Sequence, residues 1–160
     1  MQQEQLLRRY SSEMKKFRFK LQTLLDQRKA EEDIHLAELA EVRREEQEEL
    51  EHLNRLKEQL IHACKAIEAG LKDGVGLDVL TRRDEYAKIT RDDIRVQELT
   101  IEAVQDRVES KRLQVVEAMK ERQILEALRD KQEHAYILEN DRAEQNSLDE
   151  MASLRYARGM

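Results

Sequence analysis

The residues of this chain that could do chemistry are few, and the clearest are two spacings of a carboxylate and an imidazole. Glu32 and His35 are three residues apart, as are Glu49 and His52. On a helix this spacing places both side chains on one face, as in the metal sites of di-iron carboxylate bundles. Those bundles take such a pair from each of two helices, whereas both pairs here lie on one predicted helix. We interpret them as solvated surface pairs and expect no metal or other cofactor.

The remaining reactive side chains give no catalytic pattern. Cys64 is the single cysteine, and it stands between Ala63 and Lys65 in a helical pattern that favours a small packing residue over a reactive thiol. The sequence contains no glycine-rich phosphate loop and no nucleophile motif, and His62 and His134 have no catalytic neighbours. The sequence therefore predicts a protein that is not an enzyme.

The composition indicates which elements must position these residues. The 160 residues include no proline, no tryptophan and four glycines, and charged residues make up 40% of the chain. A β-sandwich or barrel would lack its turn residues and core aromatics, so long amphipathic helices are expected instead. The formal net charge of −6 argues against a dedicated nucleic-acid-binding protein. No transmembrane span or signal peptide is recognised, which predicts a cytoplasmic protein.

One break divides the predicted helical pattern. Gly70, Gly74 and Gly76 fall within seven residues near the middle of the chain, and Thr81 with Asp84 resembles a capping box that opens a second helix. The sequence therefore predicts an all-α fold: one domain over residues 1–160, formed by an intramolecular antiparallel coiled-coil hairpin. Helix 1 is expected over about 3–69, the turn over about 70–77 and helix 2 over about 78–156. Their lengths would be roughly 100 and 120 Å.

Heptad spacing predicts the helix–helix core. Two sets of positions on helix 1 and two on helix 2 recur every seven residues, and several of them carry charged or polar residues. After Leu125 the apolar pattern of helix 2 is predicted to shift phase, through Leu128, Ala135 and Leu138. The predicted core positions of helix 1 are Leu36, Arg43, Leu50, Lys57, Cys64 and Leu71, with Leu39, Glu46, Leu53, Leu60 and Ile67. Those of helix 2 are Ile94, Ile101, Val108 and Val115, with Gln97, Val104, Lys111, Ala118 and Leu125.

Charge is unevenly distributed along helix 1. Residues 15–29 contain six basic side chains and one acidic one, whereas residues 41–51 are predominantly acidic. The basic stretch also carries phenylalanine and leucine, so it fits either a membrane-surface helix or one helix of the hairpin. A partner-binding end of a rod is the functional interpretation.

Both ends of the chain resemble the FliJ family of flagellar type III export proteins. The segment 17–33, FRFKLQTLLDQRKAEED, resembles the opening of that family. The segment 144–152, EQNSLDEMA, followed by LRYAR over 154–158, is similar to its terminal pattern, and the central glycines lie where the family turns. The resemblance covers about residues 14–158. Residues 1–13 form an extension: either Met14 is the true start, or Leu6, Leu7 and Tyr10 pair with Leu148, Met151 and Leu154.

The resemblance implies a non-catalytic central stalk, similar in fold to the rotor stalk of rotary ATPases. Such a stalk would bind the hexameric flagellar export ATPase and link it to the membrane export gate protein and to export chaperones. It would be a monomer in isolation and would lie at the cytoplasmic face of the inner membrane only through its partners. Alternatives are a generic coiled-coil scaffold, a homodimeric rod and a virulence-type secretion stalk.

Two sets of partner-binding residues follow from this resemblance. One is expected at the open end of the hairpin, where it would enter the ATPase ring, and the other near the turn, where both helices would face the export gate. Tyr86 is an attractive gate anchor because a large amphipathic ring on a polar helix suits an interface, although packing against helix 1 would explain it equally well. The ATPase-end residues are Phe17, Arg18, Phe19, Lys20, Leu21, Asp149, Glu150, Arg155 and Arg158. The gate-face residues are Leu56, Gln59, Ala63 and Tyr86.

Overall fold

The computed structural model describes residues 16–159, and two long α-helices contain nearly all of them. Helix α1 spans Gln22–Asp73, and helix α2 spans Leu77–Gly159. No strand occurs within the described part of the chain, and the two helices pack against each other. The all-helical prediction is confirmed. The predicted pairing of Leu6, Leu7 and Tyr10 lies outside the described residues.

The amino-terminal boundary of α1 differs from its prediction. Residues 16–19 have no regular secondary structure, and the helix begins at Gln22 instead of continuing from about residue 3. Phe17, Phe19 and Leu21 alternate with basic residues, which is the two-residue period of an extended segment and not the period of a helix. The Gln22 backbone N–H donates to the Phe19 carbonyl oxygen at 3.1 Å and begins the helical pattern.

The turn between the helices is tighter than predicted. Helix α1 continues to Asp73 and ends in a Schellman-type cap, in which the Val75 N–H donates to the Gly70 carbonyl oxygen at 3.1 Å. Gly74 supplies the left-handed backbone conformation of this cap, with φ of 71°. The predicted capping box at Thr81 is wrong, because α2 already begins at Leu77 and the Thr81 hydroxyl donates to the Leu77 carbonyl oxygen at 2.9 Å.

The described residues form two compact units, one of which, Glu31–Ala118, contains the turn. Three ion pairs join α1 to α2 in this turn-containing unit. Lys57 pairs with Glu98 at 4.0 Å, Glu45 with Arg107 at 2.8 Å, and Glu38 with Lys111 at 2.8 Å. Along these three pairs the residue numbers on α1 decrease while those on α2 increase. The two helices therefore run in opposite directions within this unit.

The predicted core positions of α2 are buried or half-buried throughout the turn-containing unit. Ile101, Val104, Val115 and Ala118 are buried. Gln97, at a polar core position, is also buried, and its side-chain amide donates to the backbone carbonyl oxygen of Glu49 at 3.0 Å. This buried polar side chain is therefore paired across the helices instead of being solvated.

One of the two predicted sets of core positions on α1 is displaced by one position from the set that the structure shows. Leu39 and Leu53 are buried as predicted, but Leu36 and Leu71 are 43% and 65% exposed. Arg43 and Lys57 of the predicted set are also exposed. The second set of core positions lies one residue earlier and contains Val42, Ala63 and Gly70, which are buried, together with His35, Glu49 and Leu56, which are half-buried. Because several of these positions carry small or polar residues, a search for leucines does not identify this core set.

The other unit contains the described residues 16–30 and 119–159. Leu25 is fully buried in it and Phe19 is 7% exposed. Arg28 pairs with Glu121 at 2.8 Å and Lys29 with Glu126 at 3.8 Å. The sequence did not decide whether the basic, aromatic stretch binds a membrane or packs against the second helix. In the structure, much of this stretch packs against α2.

The predicted phase shift in α2 is also wrong at its later positions. Leu125 and Leu128 are half-buried, but Ala135 is exposed and Leu138 is 45% exposed. Arg122, Leu125, Arg129 and Tyr136 are half-buried at the earlier heptad spacing, and the Tyr136 ring lies against Phe17.

Candidate partner-binding sites

A cleft of about 460 Å³ lies beside the turn, within the turn-containing unit. Both helices contribute to it, and its apolar lining residues are Ala63, Ala66 and Val79. We call it the turn-end cleft. The polar and aromatic side chains around it are Gln59, His62, Arg82, Arg83 and Tyr86.

The two arginines of the turn-end cleft are held in place by different contacts. Arg83 donates from Nη1 to the backbone carbonyl oxygen of Ala66 at 2.6 Å, which ties α2 to α1. Its side chain passes Gly70, where an added Cβ would lie 2.7 Å from the Arg83 Nη1 atom. Arg82 pairs with Asp78 at 3.4 Å and is largely exposed. Gly70 thus allows the close approach on which the Arg83 contact depends.

Three of the four predicted gate-face residues meet at this cleft. Gln59, Ala63 and Tyr86 line it, whereas Leu56 is half-buried and does not. Tyr86 is 50% exposed, and the fully buried residue beside it is Ala87. Tyr86 therefore lies at the edge of the helix–helix core with half of its surface open to solvent.

Sequence reasoning missed His62, Arg82 and Arg83 as cleft residues. The doublet of arginines directly after the turn was a usable signal, because a hairpin turn brings the first residues of α2 beside the last turns of α1. His62 gave no comparable signal.

The predicted ATPase-end residues of the first segment lie in the other unit. Phe17 contacts Tyr136, with ring centroids 5.7 Å apart and an interplanar angle of 46°. Phe19 is buried, Leu21 is 39% exposed, and Arg18 and Lys20 are exposed. The alternation of this segment thus buries one phenylalanine and leaves two cationic side chains accessible.

The predicted ATPase-end residues of α2 lie near its carboxyl end. Asp149, Glu150, Arg155 and Arg158 are all exposed. The Phe17 contact at Tyr136 is 13 residues before Asp149, which corresponds to about 20 Å along a helix. Among the described residues, no hydrogen bond or ion pair joins this set to residues 17–21. The structure therefore places both sets in one unit, and no polar contact joins them among residues 16–159.

The two carboxylates of the candidate metal spacings are involved in helix packing, whereas His52 is exposed. Glu32 is buried, and Glu49 accepts a hydrogen bond from the Gln97 side chain. His35 lies 3.4 Å from a carboxylate oxygen of Glu38 instead of facing Glu32. Within residues 16–159, no cluster of three or more His, Cys, Asp or Glu is arranged to hold a metal ion.

Glu38 is a carboxylate of the turn-containing unit with contacts on both helices. It accepts a hydrogen bond from Lys111 Nζ at 2.8 Å and lies beside His35. The hydrogen bond from Lys111, followed by that from His35, holds the pKa of Glu38 below its usual range. This carboxylate therefore stays charged and links α1 to α2.

None of the helices in the described region is apolar over a length that would span a bilayer.

Comparison with known proteins identifies the family. The family model described as "Flagellar FliJ protein" matches residues 15–160, which is nearly the whole chain. No curated protein and no solved structure shows significant similarity. The match agrees with the resemblance of segments 17–33 and 144–158, and with two long helices that pack together. The chain therefore belongs to the FliJ family, a family of non-enzymatic components related to flagellar protein export.

Proposed function

We propose that the chain is the central stalk of the flagellar type III export apparatus. In this proposal its two helices form an antiparallel coiled-coil hairpin that binds the hexameric export ATPase and links it to the membrane export gate protein and to export chaperones. The protein works in the cytoplasm and reaches the inner membrane through these partners. The observation that carries the proposal is the family match over residues 15–160.

Two structural features support the proposal. The helices run in opposite directions within the turn-containing unit, as a hairpin requires, and α2 is 83 residues long, which corresponds to about 125 Å. The exposed side chains of that helix are predominantly polar and charged, so a partner ring could contact it through many weak ion pairs. The flagellar description of the matching family favours the flagellar over the virulence-type stalk.

We assign ATPase binding to four exposed cationic residues in the unit that contains residues 16–30 and 119–159. Reversing the charge of Arg18, Lys20, Arg155 and Arg158 is expected to weaken binding to the cognate ATPase. A single exposed ion pair contributes only about 0 to 1 kcal/mol, so all four changes are made together. Added salt should weaken the wild-type complex as well, because exposed charges are screened.

The test compares this variant with a matched one. Four other exposed basic residues, Arg55, Lys65, Lys72 and Arg91, are reversed as the control. Binding is measured by isothermal titration calorimetry, and circular dichroism confirms equal helicity. Normal binding by the first variant, or an equal loss in both, would remove the assignment.

We assign gate binding to the turn-end cleft. Its apolar lining residues and half-exposed Tyr86 ring suit the insertion of a partner side chain, and Arg82 and His62 offer hydrogen-bond donors around it. Leu56 is left out of the assignment as a direct contact, because it does not line the cleft.

Tyr86→Ala tests the gate assignment. This change is expected to weaken binding to the cytoplasmic part of the gate protein while leaving ATPase binding unchanged. Tyr156→Ala, which removes a ring that is 72% exposed near the end of α2, is the matched control. Unchanged gate binding by Tyr86→Ala would show that the cleft is not the gate site.

A further inference from the structure

A second apolar stripe lies on α2 within the turn-containing unit, away from its contacts with α1. It consists of Ile89, Val96, Leu99 and Leu113, which are 60%, 63%, 66% and 55% exposed. We call these four residues the outer stripe. Neither the proposed ATPase site nor the turn-end cleft includes any of them.

The spacing of the outer stripe is that of a coiled-coil contact. Ile89 and Val96 are seven residues apart, Leu99 follows after three, and Leu113 follows two heptads later. Each lies two residues after a core position of α2, which is about 200° around the helix. Positions on this outward side are ordinarily polar in a two-helix coiled coil, so four large apolar residues there indicate a second helix-binding face.

Charges beside the outer stripe change sign along the helix. On one edge Lys88 and Arg95 are followed by Glu102 and Glu109, all at seven-residue intervals. On the other edge the order is reversed, and an acidic residue, Asp93, precedes the basic residue Arg107. A pattern that reverses its sign in this way is complementary to itself when two copies lie in opposite directions.

We propose that the outer stripe is a docking face for a second copy of this chain, with the two α2 helices antiparallel. In the register that places Ile89 opposite Leu113 of the second copy, Leu99 lies opposite Ala103. The two-fold symmetry repeats both contacts. A parallel pair in register is disfavoured, because it would place Asp92 and Asp106 each against its own copy in the contact layer.

The same antiparallel register places opposite charges together on both edges. Arg95 comes beside Glu109 of the second copy, and Asp93 comes beside its Arg107. Each pair occurs twice by symmetry, against one like-charge contact of Glu102 with itself at the centre. Arg107 also pairs with Glu45 of its own chain, and it remains accessible enough to share a second carboxylate.

The proposed contact is small. It extends from Ile89 to Leu113, which is about 36 Å of helix, and one of its layers places Val96 opposite Asp106. Because Asp92 and Asp106 interrupt the apolar contact layers, association is weak and concentration-dependent. The chain remains a monomer when dilute and forms a dimer when copies are concentrated.

Sedimentation velocity of the full chain tests the proposal. From micromolar to near-millimolar concentration, the average mass is expected to rise from the 19.0 kDa of one chain toward twice that value. Val96→Glu with Leu99→Glu should lower the association constant at least about tenfold. Ile61→Glu with Leu71→Glu, which changes two exposed apolar residues outside the stripe, should not. A mass that stays constant, or an equal loss in both variants, overturns the proposal.

A charge exchange tests the antiparallel register. Arg95→Glu alone and Glu109→Arg alone each place like charges together twice in a homodimer, so each variant should associate several-fold more weakly than the wild type. An equimolar mixture should recover the wild-type association, because each contact then joins opposite charges. Wild-type association by either variant alone, or no recovery in the mixture, contradicts the register and with it the self-docking face. Neither outcome depends on the ATPase or the gate protein.

Discussion

At the scale of single residues, the polar side chains of the helix–helix core are the most informative. Gln97 and Lys111 interrupt an apolar heptad, and in the structure their side chains bond to Glu49 and Glu38 on the other helix. Such pairs contribute little net stability when they are partly exposed, but they disfavour registers in which a polar group would lose its partner. We therefore interpret them as residues that fix the alignment of α1 and α2.

The Glu38 contacts predict a pH dependence. Because the folded-state pKa of Glu38 lies below its unfolded value, its stabilising effect is present above about pH 4.3 and is lost as the pH falls through the folded-state pKa. Glu38→Gln should therefore have a lower Tm than wild type at pH 7, with the difference vanishing at low pH. Thermal unfolding across this range measures it, with Glu48→Gln as the exposed control. A difference that persists at low pH would contradict the role of the carboxylate charge.

Gly74 should be sensitive to substitution because of its backbone conformation. Its φ of 71° is unfavourable for any residue with a Cβ, although nothing lies within 4 Å of the added atom. Gly74→Ala is expected to lower the free energy of unfolding by about 1 kcal/mol. Urea denaturation measures the change, and Gly159→Ala, where the added atom also meets open space, is the control. Equal stability of the two variants would show that the cap does not constrain the turn.

At the scale of the elements, the sequence predicted the core of α2 better than that of α1. On α2 the valines and isoleucines identify both sets of core positions before Met119, and most of them are buried. On α1 one core set contains His35, Glu49 and Gly70, whereas leucines lie at the adjacent, more exposed positions. Hydrophobicity alone therefore selects the neighbouring set, because it does not detect a core position filled by a small or hydrogen-bonded residue.

The start of α1 was unpredictable for a related reason. Gln and Glu residues precede the basic segment and favour a helix by propensity. The contact of Phe17 with Tyr136 and the burial of Phe19 are tertiary interactions, and they favour an extended segment over residues 16–19. Tertiary contacts were also missing from the prediction of the candidate sites. The sequence predicted a partner-binding face near the turn, but it did not predict the hydrogen bond from Arg83 to the Ala66 carbonyl oxygen.

The corrected register of α1 can be tested with two leucines. Leu39→Ala removes a buried side chain and should lower the free energy of unfolding by about 2 to 5 kcal/mol. Leu36→Ala changes a residue that is 43% exposed and should cost less than about 1 kcal/mol. Both were core positions in the sequence pattern, which would predict similar losses. Chemical denaturation of the two variants distinguishes the registers.

At the scale of the whole molecule, membership of the FliJ family combines with a surface rich in charge. The family match covers residues 15–160, and 40% of the 160 residues are charged. Charged surfaces of this kind give binding that depends on salt and on many small contacts, which suits a stalk that meets six equivalent ATPase subunits. In the proposed function, the ATPase and the gate protein bind different residues of this chain.

The central claim is that this chain acts as the stalk of the export ATPase, and one titration tests it most directly. The cognate flagellar export ATPase is purified and its steady-state ATP hydrolysis is measured with increasing amounts of this protein, while light scattering follows ring assembly. We predict stimulation that saturates near one chain per six ATPase subunits, together with more assembled rings. No stimulation and no change in ring assembly, with the added chain folded, would contradict the stalk.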